Sequence, residues 1–206
     1  MASDIESARG DLAYMRSLVG GTERMQATIG EAFFWAGLLY GIQCLLHWLQ
    51  TQRMAPEEGL LALAIVVVPT VLFIGVLTVI IIKDRNAPPG GPATRALGSV
   101  FQGAGIANLV MAFVFGYGAQ AYDAPGLWLY HPVVVCMFQG VAWYVAFNVL
   151  RKGWLGAVAA GWFATVVVLG VLMQNIGAFV LVLAIALFVL MTIPGWIIWR
   201  GAKKSA

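Results

Sequence analysis

The residues best suited to chemistry in this chain lie inside apolar stretches. Cys44 and His47 are three positions apart, and that step along a helix brings both side chains to one face. A thiolate and a neutral imidazole so placed form half of a transition-metal site. A second imidazole, His131, falls at a similar expected depth in a later stretch, and two histidines on facing helices can also hold haem iron axially. Cys136 lies about 7 Å deeper than His131 by helical rise and on another face. His47 beside Trp48, and His131 immediately before Pro132, equally suit ordinary imidazoles at a membrane interface or a helix start. On that plainer reading no cofactor is expected, and a haem or metal-binding redox protein using His47, His131 and Cys44 is the second alternative.

A second constellation is polar without being ionisable. Asn108 stands about halfway along the third apolar stretch and Gln139 halfway along the fourth. As antiparallel neighbours they could hydrogen-bond across the helix interface, a bond worth about 1 kcal/mol or less in a bilayer, or line a polar cavity. Pro69 interrupts the second stretch, where it removes a backbone donor and should kink the helix. Asn108, Gln139 and Pro69 together make the candidate ligand layer of a small-molecule or lipid carrier. Carriers built on broken spans carry matched breaks in two repeat halves, whereas the Pro194-Gly195 break of the sixth stretch lies at no corresponding depth.

Catalytic signatures are missing. The sequence has no HExxH, GxSxG or P-loop pattern, and no pair of carboxylates falls within the apolar stretches. Glu31, at the start of the first stretch, suits a helix N-terminus and its dipole. The absence of Lys, Arg and Asp from the span interiors weighs against an ion-coupled carrier or a voltage sensor. The protein is expected to be no enzyme.

The elements that position these residues follow from composition and length. Of the 206 residues, 61% are hydrophobic and 10% charged, with mean hydropathy +0.87, the balance of an integral membrane protein. A span needs about 20 apolar residues. Six stretches satisfy this, residues 30–49, 60–82, 97–118, 127–150, 154–173 and 177–199, joined by short connectors. The connector over 83–96, with Pro88, Pro89, Gly90, Gly91 and Pro92, cannot continue a helix.

Eleven of the twelve Lys and Arg residues fall on one side of such a bundle, and only Arg53 falls on the other. Basic residues are retained in cytoplasmic loops, so both termini are expected in the cytoplasm and a bacterial inner membrane fits best. The first span is expected to act as an uncleaved signal anchor. The net charge of +3 comes from these topology anchors and gives no reason to expect nucleic acid. Trp35, Trp48, Trp128, Trp154, Trp196 and Trp199 lie near span ends, where amphipathic rings prefer the headgroup layer. Trp143 and Trp162 sit deeper and suit packing.

Residues 1–29 read as a cytoplasmic amphipathic segment: Ile5, Ala8, Leu12, Met15 and Val19 recur at three- and four-residue steps until Gly20 and Gly21, the signature of an interfacial helix. Residues 200–206 form a short tail. Small residues, including the Gly37/Gly41 and Gly156/Ala160 pairs and the stripe Ala104, Asn108, Ala112, Gly116, allow close helix approach or homodimerisation.

The expected fold is all-α, a polytopic six-transmembrane-helix bundle with an N-terminal amphipathic interfacial helix. The expected function is a non-enzymatic accessory or scaffold subunit, whose partners are the lipid bilayer and either another membrane protein or a second copy of the chain.

Overall fold

The computed structural model describes residues 2–85 and 91–205, with side chains for 26–85, 91 and 95–202. Its elements are α1 (Ala2–Thr51), α2 (Gly59–Asp84), α3 (Pro92–Ala121), a 3-10 turn (Pro125–Leu129), α4 (Tyr130–Leu150), α5 (Gly153–Val171), a second 3-10 turn (Leu172–Gln174), α6 (Ile176–Leu187), a π-helical stretch (Phe188–Thr192) and α7 (Ile193–Ser205). No strand occurs among the described residues. Six helical segments are long and apolar enough to cross a membrane: Gln26–Thr51, Gly59–Asp84, Arg95–Ala121, Pro125–Leu150, Gly153–Gln174 and Ile176–Ala202. Each contains one of the six expected stretches, because a chain without water to satisfy its amides pairs them within the helix.

The ends of the helices lengthen this picture. Pro92 opens α3 from its first turn, a position where a missing N–H costs nothing, so the helix begins five residues before the expected Leu97. α1 runs through Gly20 and Gly21 without a break. About 1 kcal/mol of lost propensity per glycine does not interrupt it, so the segment expected to form a separate interfacial helix shares one helical backbone with the first span. The faces presented by Ile5, Ala8, Leu12, Met15 and Val19 lie outside the described side chains. The expected tail is likewise helical to Ser205.

The connectors are short because left-handed residues turn the chain sharply. Arg53, Asp123 and Arg151 have φ of 57°, 49° and 55°. Arg151 ends α4, its N–H bonding Phe147 O at 2.8 Å, and α5 begins two residues later. Asn175 caps α6, its Oδ1 accepting from Ala178 N at 3.1 Å. Replacing it with Ala is expected to cost about 1 kcal/mol, read as a lower thermal midpoint in detergent; an unchanged midpoint would remove the cap from the account.

Packing is uneven. α1 is embraced by α2 on one side and by α6, the π stretch and α7 on another, while α4 packs between α3 and α5. The largest fully buried side chains are Trp143, Trp162, Phe179, Leu155, Leu169 and Cys136. Phe33 of α1 meets Trp143 of α4 at 5.2 Å, so the first and fourth spans touch. α2 buries only Pro69 and Ile80, and both it and α3 are peripheral.

The seam between α1 and the last span is built from glycine. A Cβ on Gly37 would lie 2.6 Å from Thr192 N and 2.9 Å from Leu187 O; one on Gly30 would lie 2.6 Å from Trp199 N. Gly195 reciprocates against Gly30 O and the Phe34 backbone. The Gly37/Gly41 pair is thus consumed by packing within the chain, Gly41 facing the Phe188 ring. Opposite Gly37 the last span widens into its π turn, two residues before Pro194, whose ring cannot sit against the carbonyl four residues back. Thr192 Oγ1 donates to Leu187 O at 3.2 Å, occupying a carbonyl at the start of the widened turn.

Candidate functional site

The residues marked out by the sequence occupy separate places. His47 Nδ1 lies 2.7 Å from Gln50 Oε1, and Gln50 Nε2 donates to Pro56 O at 2.6 Å. This relay ties the end of α1 to the connector leading into α2. His131 turns to the opposite group of helices: its Nε2 lies 3.4 Å from Asn108 O of α3, and its ring stacks on Trp128 at 5.1 Å and meets Phe115 at 6.4 Å. Cys44 packs against the buried core cluster that includes Cys136, and both thiols are free. Among the described residues no group of three or more His, Cys, Asp or Glu side chains converges as a metal site. The structure engages His47, His131 and Cys44 separately.

The polar layer also divides. Phe101 meets Trp143 at 5.6 Å and Phe115 meets Tyr130 at 6.4 Å, an antiparallel register that sets Asn108 within about one helical turn of the level of Gln139. The Asn108–Gln139 hydrogen bond is replaced by two buried oxygens, Asn108 Oδ1 and Gln139 Oε1, without hydrogen-bond partners. The 3-10 turn Pro125–Leu129 before α4 packs its Trp128 and Leu127 against Gly116 and Gly118 of α3. Pro69 is buried on α2, a helix that packs on α1 rather than on α3 or α4. One turn before it, Val66 O accepts from Gln43 Nε2 of α1 at 3.2 Å, a donor from a neighbouring helix next to a turn weakened by proline.

Sequence reasoning passed over a cavity of about 50 Å³ at the end of the bundle that bears both chain termini. α1 contributes Gln26 and Ile29, α3 Phe101, α4 Trp143, and the α4–α5 turn Lys152 and Trp154. Its walls are mostly apolar, and among the described residues its one ionisable lining residue is the cation Lys152. Trp143 is 1% exposed, and its indole Nε1 has no hydrogen-bond partner. The signal was present in Arg151-Lys152-Gly153-Trp154, a basic and aromatic turn. Read alone, it is indistinguishable from an ordinary topology anchor.

No protein-family profile, curated protein or solved structure matches this chain.

Proposed function

We propose that the protein is a non-enzymatic accessory or scaffold subunit of a membrane complex, offering the outward faces of α2 and α3 to partner helices. One observation carries the reading. On these peripheral helices Gly75, Gly103 and Gly105 have open space where a Cβ would stand, whereas Gly30 and Gly37 of α1 are pressed against neighbouring backbone. In a bilayer, where apolar burial drives nothing, small residues on a free face are what permit a second helix to approach closely. The deep interior supports the same reading. Trp162, Leu169, Cys136 and Phe179 fill it at 1% exposure or less, leaving a carrier little beyond the unpartnered Asn108 and Gln139 oxygens to work with. Placement in a plasma membrane with both termini in the cytoplasm rests on the eleven-to-one division of basic residues.

Gly75→Leu and Gly103→Leu test the proposal, because a Cβ at either position meets nothing within 4 Å among the described residues. Each is expected to reduce recovery of a partner, or of a homo-oligomer, in native mass spectrometry after mild-detergent purification. The thermal midpoint should stay within about 0.5 kcal/mol equivalent of the parent, as for surface substitutions away from packing. A bare monomer from the unaltered protein under those conditions, with nothing co-purifying, overturns the reading.

A further inference from the structure

We propose that the terminus-side cavity binds one anionic phospholipid, its phosphate on Lys152 and the ester end of one acyl chain against Phe101, Trp143 and Leu155. The inference is independent of what packs on α2 and α3. It starts from the lining: Phe101, Trp143 and Leu155 give the cavity an apolar wall, and Lys152 supplies a cation beside it.

Charge selects the headgroup. Among the described residues Lys152 and Gln26 are the polar lining residues, and none of the described lining residues is a carboxylate. The same end of the bundle carries the described basic residues Lys83, Arg85, Arg95, Arg151 and Arg200, against the carboxylates Glu31 and Asp84. A basic pocket between spans at this level is suited to an anionic headgroup. Trp154, 37% exposed at the lip, has the amphipathic ring that settles among headgroups. Size sets the mode. A cavity of about 50 Å³ holds the ester region and not two acyl chains, so the rest of the lipid runs along the bundle in the surrounding leaflet.

The experiment is native mass spectrometry of the full chain from a neutral detergent with equimolar phosphatidylglycerol and phosphatidylcholine. The parent protein is expected to retain phosphatidylglycerol preferentially. Lys152→Gln should lower that retention about fivefold, the loss of one basic contact at the membrane surface, and Lys152→Glu should lower it further. Lys152 is exposed on the two-residue connector and contributes its carbonyl to Leu155 N, a contact that both variants keep. Arg85→Gln, an equal charge change just past the end of α2 and outside the cavity, should leave retention unchanged. Excess inorganic phosphate should not displace the lipid, since it lacks the ester chain. Equal retention of the two lipids, equal effects of the Lys152→Gln and Arg85→Gln changes, or displacement by phosphate would each overturn the proposal.

Discussion

Gly37→Leu is expected to destabilise the bundle by forcing open the seam between α1 and the last span. Even a Cβ at this position would stand 2.5 Å from Thr192 Oγ1, 2.6 Å from Thr192 N and 2.9 Å from Leu187 O. Two of those three atoms are backbone, fixed by the π stretch and unable to rotate aside. Overpacking a well-filled site costs about 1–3 kcal/mol, more when the backbone must move. Here α1 has to leave the seam it shares with α6 and α7, so about 3 kcal/mol or more is expected. For a chain of this size, each kcal/mol moves the thermal midpoint by about 2–4 °C, which predicts a fall of roughly 6–12 °C or loss of folded yield.

Gly41→Ala is the internal comparison. Its new methyl would lie 2.9 Å from carbons of the Phe188 ring, a side chain that can turn, so its penalty should be clearly the smaller. Thermal size-exclusion profiles of the two variants in one detergent measure the difference. Equal midpoints would mean that the seam is far looser than its geometry, and that α1 is held instead by α2.

The same seam separates what the sequence made readable from what it hid. Six spans were legible because apolar length is a local property, fixed by bilayer thickness and helical rise. The Gly37/Gly41 pair was legible as a close-approach face, but its partner was not, since a small-residue pair carries no address. Pro194 announced a disturbed turn; that the disturbance is a π turn facing Gly37 depends on two helices more than 150 positions apart. Pairing across a helix interface was the weakest inference: Asn108 and Gln139 were legible as antiparallel neighbours, but each side-chain oxygen is left without a partner. Chemistry was legible only as inventory. The sequence named the His, Cys, Asn and Gln residues, but their hydrogen-bond partners are carbonyls and amides such as Asn108 O and Gln50 Oε1, which composition cannot rank. Lys152 and Trp143 looked like an anchor and a packing residue, and only the five-helix junction brings them to one cavity.

Trp143→Ala is expected to have the second large effect, and a more local one. Trp143 meets Phe33 at 5.2 Å and Phe101 at 5.6 Å, while Phe33 and Phe101 meet at 5.0 Å, all three edge-on. This triangle takes one ring from each of α1, α3 and α4. Because α3 is otherwise held mainly by α4 and the 3-10 turn, the triangle is its firmest link to α1. Truncating a buried Trp to Ala costs about 3–5 kcal/mol. The lower end applies here, since the indole N–H has no partner to lose and its removal relieves a desolvated donor.

Trp162→Ala serves as the control. Trp162 is equally buried and its Nε1 is also unpartnered, but it lies on α5. Both substitutions should lower the midpoint by similar amounts. Only Trp143→Ala should raise hydrogen exchange along α3, because it alone removes a ring that α3 leans on. A Phe33→Leu/Trp143→Leu double-mutant cycle should then give a coupling of about 0.5–1.5 kcal/mol, the range for an aromatic pair. Unchanged exchange in α3 together with a coupling near zero would assign the cost to volume alone, and α3 would then owe its position to the His131 and Trp128 contacts at its other end.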